Sequence, residues 1–321
     1  MDNTGPVRSV ANPSPVEVLP DFRLFAIVKT WMDEDVIDAT VRSVQAQGAE
    51  RVFVVDNGST DATVERAEEA GATIAEVFDT PAFDGPLAQV LMNAVVARES
   101  LQSGSEHVWW LYIDSDEFPE GPAGMSIVEY LGTLDRRFRM VGSAYFNHLP
   151  TEKPEYLSGY HPIDFQPVCY EFHPSWTPLC GQRGHWKHPL QRFDRAGHFI
   201  VSRAGSHWGI CPQELVEPET SIVTHHFQYR DEGLTRAKLE LTCGRDSRRT
   251  ALYGENEGDG FSRRMRSLDA VYSQRWQDVE IEVDRTLAGA SPPRPWPLVA
   301  EVRRWYPQSD LLAARHAPTD G

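Results

Sequence analysis

Apolar residues come in short unbroken runs along the first third of the chain, and amphipathic stretches separate them. FRLFAIVK (22–29), RVFVVD (51–56), TIAEVF (73–78) and HVWWLYI (107–113) are four such runs. Runs of this length without polar alternation fit strands buried on both faces. The segment DEDVIDATVRSVQAQG (33–48) places Ile37, Val41 and Val44 on one helical face, opens with acidic residues and closes at Gly48. STDATVERAEEAG (59–71) begins with capping residues and stops at Gly71, and residues 86–102 form a third helical pattern. Strand and helix alternating at this spacing predict a mostly parallel, Rossmann-type α/β sheet flanked by helices. Ligands of such sheets bind at the carboxyl ends of the strands. Asp56 and Asp114 both fall at such ends.

The pattern changes after residue 120. Pro, Gly, His and aromatic residues crowd 145–212, which reads as loops and short strands folded over the first half. A helix is expected near 231–243, a polar break at YGENEGDG (253–260) and a further helix near 261–285. Residues 1–20 read as a disordered lead, and the chain ends in a Pro-rich tail.

With 40% hydrophobic and 24% charged residues the chain belongs to the globular class. Its net charge of −16 argues against a nucleic acid polymer as partner, because phosphate backbones require a basic face. An anionic small substrate would need a local cation to offset the field. The first 20 residues contain four prolines and no apolar core, so they do not read as a signal peptide, and no window is long and apolar enough for an integral membrane segment. Cys169, Cys180, Cys211 and Cys243 form no C-x-x-C, and a reducing cytoplasm is the simplest setting. Lysine is scarce: only Lys29, Lys153, Lys187 and Lys238.

The fourth apolar run leads directly into Asp114, Ser115, Asp116 and Glu117. Two aspartates at i and i+2 past a strand end can both turn toward one point. A few carboxylates suit Mn2+ or Mg2+, which keep open positions for substrate phosphates. A bare D-x-D is more often an idle acidic turn, so its context decides. G-x-G-x-x-G and the P-loop pattern are both absent, which leaves dinucleotide and P-loop chemistry without support.

What the chain does contain is VFVVDNGSTDAT (52–63), followed by D-S-D at 114–116. In this order the two motifs resemble the family 2 glycosyltransferases and their GT-A-fold relatives. IVKTWMDED (27–35) is similar to that group's opening V-K-N-E strand, but carries Thr30 and an insertion-like Trp31-Met32. THHFQYRDEG (224–233) resembles an H-Y-P-Y-R-S segment of one branch, and KHPLQRF…AGSHWG (187–209) the K…R…G-x-H stretch before it. The resemblance spans roughly 22–240 and implies a GT-A-like fold. Residues 21–120 would then be the nucleotide-binding half, 121–245 the acceptor and catalytic half of the same domain, and 246–321 a C-terminal helical extension with its tail.

The resemblance implies a metal-dependent transfer of sugar from a nucleotide diphosphate donor, UDP-sugars foremost, to a hydroxyl of a small-molecule or glycan acceptor. It assigns Asp56 to the base, with Gly58 permitting the turn, and Lys29 and Glu34 to the nucleoside pocket. It assigns Asp114 to ribose or metal, Asp116 to metal, and His226 to metal with His225 as fallback. Arg230 and Lys187 become the diphosphate contacts, and Glu117 an outer or acceptor-side group. Asp61 serves either the site or its helix cap, and His207 either the site or the core. Inversion needs a carboxylate base, and the family's late Glu-Asp motif has no match. Glu171 ranks first, ahead of Asp164 and Asp194; without a base the course would be retaining. Trp176, Trp186, Trp208, Tyr156 and Tyr160 are the flat faces available to an acceptor sugar.

Three rivals share parts of this pattern. A nucleotidyltransferase usually opens with a Gly-rich loop, and VKTWMDED has no glycine. A haloacid-dehalogenase-type phosphatase places its D-x-D-x-T near the domain start, whereas three strand units precede D-S-D-E-F here. A nucleotide-sugar-binding protein without turnover would keep the fold and lose the base.

Overall fold

The computed structural model describes residues 16–80, 85–150, 162, 166, 168–171, 187–197, 200–203, 208–210, 216–253, 259–274 and 294–295. The four apolar runs are strands β1 (Arg23–Thr30), β2 (Arg51–Asp56), β3 (Thr73–Val77) and β4 (His107–Asp114). Helices α1 (Ile37–Ala46), α2 (Thr63–Glu69) and α3 (Gly85–Gln102) alternate with them. β1 is central: it pairs in parallel with β2 on one side and β4 on the other, and β3 extends the sheet beyond β2.

Side chains of successive strand residues point to opposite faces, and here both faces are apolar. Leu24, Ala26 and Val28 of β1 join Trp109, Leu111 and Ile113 of β4 in one core, against Ile37, Val41 and Val44 of α1. Phe25 and Ile27 join Val108, Trp110 and Tyr112 in the other, against Met92, Val95 and Val96 of α3. Burial on both faces is why the runs show no period-two alternation. Phe25 meets Trp110 edge-on at 5.3 Å between ring centroids. Each fully buried side chain of this size contributes about 1.5–3 kcal/mol.

The second half departs from the expected loops and short strands. β5 (Glu117–Glu120) follows the D-S-D turn, and helix α4 (Ile127–Leu131) starts at a capping box of Ser126 and Glu129. β6 (Met140–Leu149) is ten residues long and buried throughout. β7 (Val168–Glu171) and β8 (Lys187–Asp194) join the same sheet, giving the order β7-β6-β8-β4-β1-β2-β3. β8 runs antiparallel between β4 and β6, so the sheet is parallel through β1–β4 and largely antiparallel beyond. These strands escape an apolar-run search because they bury polar side chains: Ser143, Asn147 and His148 on β6, and Lys187, His188, Gln191, Arg192 and Asp194 on β8.

β9 (Val201–Arg203) and β10 (Trp208–Ile210) form a separate hairpin, and β11 (Ile222–His226) pairs in parallel with β6 and antiparallel with β5. Helices α5 (Glu232–Tyr253) and α6 (Asp259–Tyr272) bracket the expected polar break, and β12 (Arg294–Pro295) edges β7. Leu239 of α5 and Leu268 and Val271 of α6 pack on Tyr145 and Leu149 of β6. The C-terminal helices thus cover the strand that faces the site. Of the expected disordered lead over 1–20, residues 1–15 lie outside the described residues and Val18 forms a bridge with Asp135; the Pro-rich tail past 295 also lies outside them.

Candidate active site

Strand register sets the site. Asp56 lies opposite Thr30 of β1, and Asp114 lies opposite Lys29. The two aspartates therefore end at the same sheet edge, two strand spacings or about 10 Å apart. Asp56 closes its own turn: Oδ2 accepts the backbone N–H groups of Gly58 (3.1 Å) and Ser59 (2.9 Å), and Oδ1 accepts the Ser59 hydroxyl (2.6 Å). Gly58 sits at φ 74, and a Cβ there would come within 3.0 Å of Asp79 Cβ. Gly58→Ala is expected to cost about 1–2 kcal/mol from the left-handed backbone alone, measured by urea unfolding. A loss below about 0.3 kcal/mol would show that the turn relaxes freely.

The D-S-D-E segment does not send all its carboxylates to one place. Asp114 Oδ1 pairs with Lys29 Nζ at 3.0 Å, and its Oδ2 with Lys187 Nζ at 3.0 Å. Lys187 also pairs with Glu117 Oε1, which accepts the Tyr145 hydroxyl at 2.6 Å. Glu117 Oε2 receives the Asp114 backbone N–H at 3.1 Å. Burial would raise the Asp114 carboxyl, but Lys187 and Lys29 more than offset it and hold it well below its ordinary value. Burial would likewise strip the proton from Lys187, but Asp114 and Glu117 raise it above its ordinary value.

Asp114 and Lys187 thus have partners the sequence did not suggest. Both Asp114 oxygens pair with lysines, and Lys187, at 4% exposure, is enclosed by Asp114 and Glu117.

Asp116 turns the other way. Its Oδ2 lies 3.4 Å from His226 Nε2 and 3.8 Å from Arg230 Nη1. The Phe227 N–H donates to the Asp116 carbonyl at 2.9 Å, which ties the end of β11 to the D-S-D turn and brings His226 beside Asp116. His226 Nδ1 lies 2.5 Å from Asn147 Oδ1. A carbonyl oxygen can only accept, so Nδ1 carries a proton in this arrangement; Nε2 donates to Asp116 when the ring is charged and offers it a lone pair only when the ring is neutral.

The Asp116 oxygen and His226 Nε2, once that nitrogen gives up any proton, are placed to hold a divalent cation between them. Their 3.4 Å separation suits neighbouring ligands at bonds of ~2.1 Å. The fit is to two protein ligands: no group of three or more His, Cys, Asp or Glu placed to hold a metal exists among the described residues. Burial opposes ionisation of Asp116, while His226 and then Arg230 and Lys238 hold its carboxyl well below the usual range.

Behind Asp116 lies an ion network. Asp33 Oδ1 pairs with Arg230 Nη2 at 2.8 Å and with Lys238, and Asp35 Oδ2 pairs with Arg230 Nε at 2.6 Å. Arg230 is thus paired with two aspartates rather than turned outward. Burial would raise the Asp33 carboxyl, yet Lys238 and Arg230 keep it below its ordinary value. A carboxylate depressed on folding stabilises above its unfolded value of about 3.9 and loses that contribution as pH falls through the folded one. Thermal stability is therefore expected to fall on acidification below about pH 4, with a shallower fall in Asp33→Asn. Equal slopes in the two proteins would contradict that role for Asp33.

Met32, Glu34, Asp35, Asp61, Asp116 and Lys238 line part of a cavity of about 200 Å3 between the end of β1 and α5. Glu34 Oε2 receives the Ala62 N–H at 2.9 Å, and Asp61 Oδ1 receives the Thr63 N–H at 3.1 Å, so both also brace the start of α2. His225 points away from the site, its Nδ1 2.9 Å from His148 Nε2. Asp194 pairs in register with His107 at the opposite end of β4, held by Arg139 and Arg192, so it is no catalytic base. The side chain of Glu171 lies outside the described residues, as do Tyr156, Tyr160, Asp164, Trp176, Trp186, His207 and the side chain of Trp208.

The sequence reading missed Asn147, Asp33, Asp35 and Lys238. Lysine scarcity was the available signal for the last: Lys29, Lys187 and Lys238, three of the four lysines, all pair with site carboxylates.

Residues 25–123 match the description Glycosyl transferase family 2. No curated protein matches the chain. Among solved structures, glucosyl-3-phosphoglycerate synthase from M. tuberculosis aligns at 24% identity over 38% of this chain and 44% of its own, with a TM-score of 0.26. The chain thus spans less than half of that structure. The same enzyme in complex with Mg2+ and UDP aligns at 14% identity over 86% of this chain and 87% of its own, with a TM-score of 0.32. Its complex with Mn2+, UDP and phosphoglyceric acid aligns at 13% identity over 88% and 95%, also at 0.32. Among the described residues no helix is long and apolar enough to cross a membrane. The residues that match glycosyl transferase family 2 thus form the parallel half of an α/β sheet whose second half brings His226 and Asn147 to the same strand ends.

Proposed function

We propose that this chain transfers a sugar from a nucleotide diphosphate donor, UDP-sugars foremost, to a hydroxyl of a small-molecule or glycan acceptor, with Mn2+ or Mg2+ held by Asp116 and His226. The observation that carries this reading is the 3.4 Å approach of Asp116 Oδ2 to His226 Nε2 at the carboxyl end of a central strand. It stands beside the Asp56 turn, within a region that matches a glycosyltransferase family. A bound divalent cation there would neutralise charge on the departing diphosphate.

The chain's own residues supply the remainder. The Asp56 turn shapes the base pocket at the end of β2, and Lys29 and Asp114 line the edge between that turn and Asp116. Lys29 and Lys238, with side chains 25% and 29% exposed, are better placed to meet phosphate oxygens than the enclosed Lys187 and Arg230. Lys238 lines the cavity beside Asp116 and offsets the acidic field locally. Glu171 is carried as the base from its place on β7, opposite Phe146 and one strand from His226. Inversion follows if it holds that role. A cytoplasmic setting is part of this reading, in keeping with four cysteines that form no C-x-x-C.

The test is UDP release from a panel of UDP-sugars, with and without EDTA, beside a generic phosphomonoester. Metal-dependent UDP release is expected. Turnover of the phosphomonoester with none of the UDP-sugars would reject the reading in favour of a phosphatase, and nucleotide binding without turnover would leave a binding protein.

A further inference from the structure

We propose that Asn147 is a positioning residue, which fixes the tautomer of His226 so that its Nε2 lone pair points at the metal position beside Asp116. The inference rests on the metal-dependent reading above and adds a residue to it. Asn147 and His226 are opposite each other in the parallel pairing of β6 and β11, and both are buried, at 3% and 8% exposure. Asn147 Oδ1 lies 2.5 Å from His226 Nδ1. Tyr145, two residues earlier on the same face of β6, packs tilted against the His226 ring at 5.2 Å between centroids, and its hydroxyl is anchored on Glu117. The ring is therefore packed against Tyr145 on one side and hydrogen-bonded to Asn147 through Nδ1.

The chemistry requires such a partner. A neutral imidazole carries one proton, and only the other nitrogen can bind a cation. Were Nε2 protonated, it would donate to Asp116 and exclude the metal from between them. An amide oxygen on Nδ1 holds the proton there, so that Nε2 is the nitrogen that gives up its proton when a cation binds. It achieves this without a charge that would compete with Asp116, which already lies near Asp33 and Asp35 through their shared contact with Arg230. Partners on the outer nitrogen of a metal-binding histidine typically change metal affinity 10–100-fold.

The test uses the full chain without donor, so that turnover plays no part. Mn2+ affinity is measured by water-proton relaxation in wild type, Asn147→Leu, Asn147→Asp and His226→Ala, with thermal melts reporting folding. Asn147→Leu is expected to weaken Mn2+ binding about 10–100-fold. Asn147→Asp, which retains an acceptor and no donor, is expected to restore it. Independently of any variant, 15N NMR of the wild-type His226 ring is expected to place the proton on Nδ1. A proton on Nε2 alone, or Mn2+ binding unchanged in Asn147→Leu while His226→Ala loses it, would overturn the role of Asn147. Unchanged binding in His226→Ala would instead remove the histidine from the metal site, and the inference with it.

Discussion

Replacing Asp116 with alanine is expected to lower UDP-sugar turnover by about 10³-fold or more, equivalent to roughly 4 kcal/mol of transition-state stabilisation. The fold should tolerate the change. The side chain is 17% exposed, and the tie between the D-S-D turn and β11 runs through the Asp116 carbonyl, which alanine retains. Removing the carboxylate also relieves its repulsion of Asp33. Thermal stability is therefore expected to change by no more than about 1 kcal/mol, the scale of a weak, partly solvated ion pair. Steady-state rates and a thermal melt on the same sample check both halves. Wild-type turnover would remove Asp116 from the site, and a large drop in stability would make it a structural residue instead.

Lys187→Met is expected to act in the opposite sense, destabilising by about 3–5 kcal/mol, because it strands a buried charge. Lys187 is enclosed by Asp114 and Glu117, and Glu117 is 1% exposed. Asp114 keeps Lys29 when Lys187 is lost, but Glu117 keeps only the Tyr145 hydroxyl and a backbone N–H. Glu117→Gln in the same chain removes the stranded charge and is expected to recover a substantial part of the loss. Chemical unfolding of the two single variants and the double variant gives the coupling directly. Additive losses would show that the Lys187–Glu117 pair is not the interaction responsible. The pair forms a plate beneath the D-S-D turn, so weakened activity in Lys187→Met should track its lost stability and not a lost phosphate contact.

The first half of the chain was legible because its strands are buried on both faces. FRLFAIVK and HVWWLYI read as strands from hydrophobicity alone, and β1 and β4 occupy those positions. Gly58 in D-N-G-S-T could be assigned a special backbone angle because the turn after β2 requires one, and it has it. The second half resisted for the converse reason. β6 and β8 bury Asn147, His148, Lys187, His188, Arg192 and Asp194, whose burial is stabilised by partners distant in sequence. A local pattern contains no information about such partners.

The same limit applied to the site. D-S-D gave the carboxylates but not their directions, which depend on where Lys187 and His226 arrive from β8 and β11. Asp33 and Asp35 looked like an acidic helix start. They are instead the counter-charges of Arg230, nearly two hundred positions later in the chain.

The most direct test is a crystal of the full chain grown with Mn2+ and UDP, with data collected at the manganese absorption edge. A single anomalous peak is expected within bonding distance of Asp116 Oδ2 and His226 Nε2, with the diphosphate on its open side and Asp114 still bridged to its lysines. A peak on Asp114 without Asp116, or UDP bound with no metal between it and Asp116, would contradict the account.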